Sequence, residues 1–193
     1  MWLRIQCILL VILFWQGRII PSEPIIPENQ KNKILFIGDS HISEGTVATT
    51  VATHFNLDYE VVAWAGASAR DFLAQDTLIP KTTYRLCIVS LGTNWSKDIK
   101  NYQKLVRQIR KYQKNMVLTT PNQVYYNMDR LQCATLEIGK QLQIPVWDFY
   151  RYSKISHIIE NKHLMKPDKV HLTKTGYLLQ ARLLCEFLEE INW

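Results

Sequence analysis

Ser40 and His41 stand side by side at the end of an apolar run, in KILFIGDSHISEG (33–45). A hydroxyl beside an imidazole suggests a nucleophile and its base. Adjacent residues leaving a strand tend to point apart, however, so His41 is not the expected partner of Ser40. A second histidine, His171, lies some 130 residues downstream in PDKVHLT (167–173), three residues after Asp168. That spacing lets a carboxylate reach the imidazole within one turn and hold its tautomer. Two more positions suit a developing oxyanion. Gly66, in WAGAS (64–68), offers an N–H with no side chain in the way, and Asn94, in GTN (92–94), offers an amide. Donors of that kind are each worth about 100–1,000-fold in rate. The chemistry this set could perform is two-step acyl transfer. Ser40 attacks an ester carbonyl and His171 takes its proton. The N–H groups of Ser40 and Gly66 and the Asn94 amide hold the oxyanion, and water or a sugar hydroxyl then takes the acyl group.

The elements that must position these residues follow from the apolar patterning. Strands are expected at 34–37, 59–64, 85–91, 116–120 and 145–149. Helical periods alternate with them at 46–55, 70–76, 99–114, 128–142 and 173–191. Strands alternating with helices, and apolar on both sides, argue an α/β fold with a parallel sheet covered on both faces. In such folds the reactive loops follow the carboxyl ends of the strands. GDS, WAGAS and GTN each follow an expected strand, and PDKVHLT precedes the last helix. Singly each motif is common in turns. All four in this order form a specific pattern.

The remaining composition is that of one ordinary domain: 193 residues, 47% hydrophobic, 21% charged and a formal charge of +6. The basic residues are dispersed apart from KLVRQIRKYQK (104–114), which reads as an amphipathic helix with a solvated basic face. No aromatic-basic interleaving marks a nucleic-acid partner. The N-terminus differs from the rest. Arg4 precedes an apolar run from Ile5 to Trp15, interrupted at Gln6. The run is short for a bilayer span, which takes about 20 residues, and fits a secretory signal. Residues 1–20 are therefore read as a signal peptide or uncleaved signal anchor, residues 21–32 as a proline-bearing linker and 33–193 as the domain. Export, to the periplasm, the outside or the outer side of the cytoplasmic membrane, is the expected location, with membrane association through the N-terminal segment. Cys7, Cys87, Cys133 and Cys185 show no metal spacing and read mostly as buried small residues.

With these motifs in place, the chain resembles the SGNH hydrolases, the GDSL esterase/lipase superfamily, over residues 33 to 190. GDS at 38–40 matches the first block, Gly66 the second, GTN at 92–94 the third and DKVH at 168–171 the fifth. The resemblance implies a flavodoxin-like three-layer α/β/α sandwich with a five-stranded parallel sheet. It implies Ser40, His171 and Asp168 as catalytic residues, an oxyanion hole of Ser40, Gly66 and Asn94, and no cofactor or metal. Two blocks depart from the commoner pattern. GDSH replaces GDSL, and Trp95 follows Asn94 where an aspartate is commoner. GDSH resembles the carbohydrate-esterase side of the superfamily, so His41 and Trp95 are expected to line the substrate, and Trp64 reads equally as a sugar-stacking ring or as strand-end core. No long apolar insertion could form a lipase-type lid, which favours a small acyl group. The expected function is an O-acetylesterase acting on a cell-surface or cell-wall glycan. The alternatives are a lysophospholipase or thioesterase, a glycan O-acetyltransferase and a non-catalytic binding protein of the same fold. His157 and His163 are expected to be structural or solvent-facing.

Overall fold

The computed structural model describes residues 32–91, 94, 98–121 and 128–193. The N-terminal apolar segment, nearly all of the linker and Trp95 lie outside the described residues.

Five parallel strands form one sheet in the order β2-β1-β3-β4-β5. They are β1 (Lys33–Gly38), β2 (Asp58–Ala63), β3 (Leu86–Ser90), β4 (Met116–Thr119) and β5 (Val146–Trp147). The period-2 alternation of a strand sends its side chains to both faces. Leu35, Ile37, Cys87 and Val89 enter the core on one face. Ile34, Phe36, Leu86 and Ile88 enter the core on the other. Both faces must therefore be covered, and helices cover them.

The first face is covered by α3 (Ala69–Ala74), α4 (Ile99–Tyr112) and α5 (Asp129–Leu142). In α4 the buried residues are Tyr102, Leu105, Val106 and Ile109, a 3- and 4-residue spacing that leaves Lys104, Arg107 and Lys111 in solvent. The second face is covered by α1 (Ser40–Ser43), α2 (Thr46–His54), α6 (Phe149–Ile155) and α7 (Lys174–Glu190). The helices α2 and α7 lie side by side, with His54 Nε2 2.7 Å from Glu189 Oε1. The result is the expected three-layer α/β/α sandwich.

Two details differ from the sequence reading, and a third was not legible there. β5 stops after two residues, because Asp148 caps a new helix and its carboxylate accepts the Arg151 N–H at 3.2 Å. The PVWDF stretch is thus half strand and half helix start. Cys133 is exposed, whereas Cys87 and Cys185 are buried. Gln113, at the end of α4, is fully buried and ties down the loop before β3. Its Oε1 accepts the Tyr84 N–H at 3.0 Å, and its Nε2 donates to Pro80 O at 3.0 Å and Thr82 O at 2.7 Å. Gln113→Leu would strand these groups without solvent. It is expected to cost about 2–4 kcal/mol, read as a lower urea midpoint. An unchanged midpoint would show that the loop finds other partners.

Candidate active site

β1 delivers Ser40 to the carboxyl edge of the sheet. Asp39, 1% exposed, caps α1, and its Oδ1 accepts the His41 N–H at 3.1 Å. The Asp39 carbonyl accepts the N–H groups of Ile42 (3.1 Å) and Ser43 (2.9 Å). Ser40 is thereby fixed as the first residue of a short helix. Its turn passes close under that helix: a Cβ on Gly38 would lie 2.6 Å from Ile42 Cβ and 2.9 Å from Ser90 O. Neither neighbour is the loose end of a side chain. Gly38→Ala is therefore expected to cost about 1–3 kcal/mol and to lower activity by displacing Ser40. A variant with wild-type unfolding and wild-type rate would contradict this packing.

The partner histidine is held from the far end of the chain. The segment 161–173 folds back on itself through an antiparallel bridge between Met165 and Leu172. The Lys166 N–H donates to His171 O at 2.9 Å, and the Thr173 N–H donates to Leu164 O at 2.8 Å. Thr173 then caps α7, its Oγ1 accepting the Gly176 N–H at 3.2 Å. Within this clamp Asp168 Oδ1 accepts the N–H groups of Val170 and His171, both at 2.9 Å. Lys169 takes a left-handed backbone (φ 52°) between them. Asp168 Oδ2 is 2.9 Å from His171 Nδ1, and His171 Nε2 is 3.0 Å from Ser40 Oγ.

This chain of contacts has a definite proton arrangement. The His171 backbone N–H, then the His171 ring and the Val170 N–H, hold the Asp168 carboxyl well below the usual carboxylate range. An ionised Asp168 can only accept, so the proton on the imidazole is assigned to Nδ1. Nε2 is left with a lone pair facing the Ser40 hydroxyl. The arrangement can take a proton from Ser40 as the oxygen attacks.

Strand order puts the remaining donors on either side. Gly38 pairs with Ala63 of β2 and with Ser90 of β3, so both neighbouring strands end beside the turn that carries Ser40. Gly66 sits in the first loop with φ 81°, a left-handed conformation in which its outer side faces open space. Asn94 follows β3, and its Nδ2 donates to Ala67 O at 3.2 Å. That bond ties the two loops together. An amide NH2 carries two protons, and this bond uses one of them.

His41 is placed differently from the sequence reading. It is 4% exposed, so it does not line a surface open to substrate. Its ring lies against His171 on one side and Tyr177 of α7 on the other. Tyr177 was not legible as a neighbour of the site, because its only local signal was an apolar helix face. Trp64 packs on Phe72 with ring centroids 4.6 Å apart, which makes it part of the core. His157 and His163 are exposed. Among the described residues no group of three metal-ligating side chains comes together.

Burial holds His41 below the usual histidine range, with the neighbouring His171 pushing in the same direction. Unfolding exposes it, so the unfolded state binds the extra proton. Stability is then complete above about pH 6.5, the unfolded value, and declines as the pH falls below it. Urea midpoints at pH 7.5 and 5.5 should differ more for the wild type than for His41→Phe. Equal differences would show that His41 does not set this dependence.

A five-stranded parallel sheet covered by helices on both faces is a fold that this chain shares with solved hydrolase structures. Solved structures with this fold include three hydrolases similar to the chain at low sequence identity. A lipase/acylhydrolase from Enterococcus faecalis is 17% identical with a TM-score of 0.64, covering 82% of this chain and 96% of its own. An acetyl xylan esterase from Geobacillus stearothermophilus is 22% identical with a TM-score of 0.62, covering 83% and 94%. A candidate SGNH hydrolase from Slackia heliotrinireducens is 16% identical with a TM-score of 0.67, covering 81% and 98%. Comparison with protein-family models and with curated proteins finds no match.

Proposed function

We propose that the protein is an SGNH-type serine esterase that removes small acyl groups, acetyl in particular, from carbohydrate. The observation that carries this reading is the unbroken contact from Asp168 through His171 to Ser40, at 2.9 and 3.0 Å. Ser40 is the nucleophile, His171 the general base and then the general acid, and Asp168 the group that fixes the tautomer. The N–H groups of Ser40 and Gly66 and the Asn94 amide form the oxyanion hole. In the first step Ser40 Oγ bonds to the ester carbon, its proton passes to Nε2, and the alcohol leaves with that proton. In the second step water attacks the acyl carbon and gives a proton to His171 Nε2; the bond from that carbon to Ser40 Oγ then breaks, the acid leaves, and Ser40 Oγ takes the proton back from Nε2.

The acetyl xylan esterase among the fold relatives supports a glycan ester, as does the absence of a long apolar insertion in the sequence. The lipase/acylhydrolase of the same fold favours the second reading, a lipid ester hydrolase. A series of p-nitrophenyl esters separates the two. Highest kcat/KM on acetate, with release of acetate from O-acetylated glycan, is expected. A preference for C8 or longer would sink the acetyl-glycan reading. The N-terminal apolar run supports action outside the cytoplasm, and a fusion of residues 1–32 to an export reporter tests it. Among the described residues no helix is long and apolar enough to cross a membrane.

A further inference from the structure

His41 occupies an unusual place for a polar residue next to a nucleophile. Its ring stacks on the His171 ring with centroids 5.4 Å apart and planes 29° apart. On its other side Tyr177 meets it edge-on at 5.9 Å, with Tyr177 Oη 3.4 Å from His41 Nδ1. His41 Nε2 is buried and has no hydrogen-bond partner among the described residues. Among the described residues the ring is therefore anchored by no more than the single long contact to Tyr177. It is a flat slab wedged between α7 and the His171 imidazole.

The imidazole of His171 needs such a slab. Its backbone belongs to a loop, and its side chain is 34% exposed. Rotation about χ2 of a histidine is soft and broad. The bond to Asp168 restrains one edge of the ring, but a turn about χ2 breaks that bond and swings the whole ring out of plane. Swinging carries Nε2 away from Ser40 Oγ. A flat neighbour on one face of the ring stops the swing from that side, and His41, inclined at 29°, is that neighbour. It is also the residue after Ser40 on α1, so wall and nucleophile move as one piece.

We propose that His41 is a positioning residue for the base: its ring is the wall that keeps the His171 imidazole in the plane reaching both Ser40 Oγ and Asp168 Oδ2. This inference rests on the esterase reading above. The charged and titratable groups around His41 are Asp39 from the β1–α1 turn, Lys166, Asp168 and His171 from the loop, and Tyr177 from α7. Burial keeps the wall uncharged, so it does not oppose the imidazolium that forms when His171 takes the Ser40 proton.

The test compares shape with volume. His41→Leu fills much of the space without a flat face, and His41→Met does the same with a flexible chain. His41→Phe keeps the flat face and discards both nitrogens. Misplacement of a reacting group by about 1 Å costs about 100-fold. With p-nitrophenyl acetate, Leu and Met are expected to lower kcat by about 10- to 100-fold with little change in KM, and Phe is expected to restore most of it. Wild-type kcat in Leu and Met, or a Phe variant as slow as they are, would overturn the proposal. A second readout needs no turnover. The Nδ1 proton of His171, held by Asp168, should be visible by NMR and slow to exchange in the wild type, and should be lost in the Leu or Met variant. Equal protection in both would overturn the wall. If the wild type cleaves no ester, the esterase reading fails by itself, and this proton still decides the role of His41.

Discussion

Ser40→Ala is expected to lower kcat/KM for an aryl acetate by about 10,000-fold or more, with folding stability changed by no more than about 1 kcal/mol. The size follows from the position of Ser40 Oγ. Among the described residues it is the atom that His171 Nε2 meets at hydrogen-bond distance, 3.0 Å, so it is the oxygen this base can activate. Removing it leaves the oxyanion donors and the binding surface, which alone account for residual rates of about 1,000-fold over water. The stability side follows from burial. Ser40 is half-exposed at the helix start, while the apolar contacts of α1 are made by Ile42. Losing one side-chain hydrogen bond there is a small loss. A variant that keeps a tenth of the wild-type rate would mean that another group attacks the ester.

The second large effect belongs to Asp168→Asn, at about 1,000- to 10,000-fold in kcat. Asp168 performs two tasks with two oxygens. Oδ1 receives the N–H groups of Val170 and His171, and Oδ2 receives the imidazole. Asparagine can keep the first task, because its carbonyl oxygen still accepts. It fails the second, because its NH2 would face Nδ1 and drive the imidazole proton to Nε2. Nε2 then has no lone pair for the Ser40 proton. The loop should stay folded while the reaction stops. Asp168→Ala abandons both tasks and should also lower the unfolding midpoint. The native carboxyl is held below the ordinary range, so any stability it adds is complete above about pH 3.9 and is lost as the pH falls through the lower folded value. With the side chain 47% exposed, solvent screening keeps that contribution small. Asp168 is therefore expected to stay ionised at mildly acidic pH. Equal kcat in the Asn variant and the wild type would contradict the assigned tautomer.

Much of this was legible before any coordinates. A short, near-continuous apolar run such as RLCIVSL (85–91), with β-branched residues, suits a strand buried on both faces, and Leu86–Ser90 is that strand. The spacing of Asp168 and His171 pointed to one turn, and the left-handed Lys169 makes that turn. The fold then followed from alternating strands and helices. Other features were hidden for physical reasons. PVWDF is apolar enough for a longer strand, but a single capping carboxylate, Asp148, ends it at two residues. His41 looked like a residue facing substrate because polarity next to a nucleophile suggests exposure. Its burial depends on rings at positions 171 and 177, and no local pattern near residue 41 announces a stack across 130 residues. Cys133 sits on a helix whose other apolar residues are mostly inward, and only the rotation of α5 puts it in solvent.

The central claim is that Ser40 carries the acyl group, and labelling tests it most directly. The protein would be incubated with an alkyl phosphonofluoridate, which reacts with an activated serine, and digested for peptide mass spectrometry. One adduct is expected, on Ser40, absent from Ser40→Ala and formed far more slowly in His171→Ala. An adduct on another residue, or labelling of Ser40 at the same rate without His171, would contradict the account.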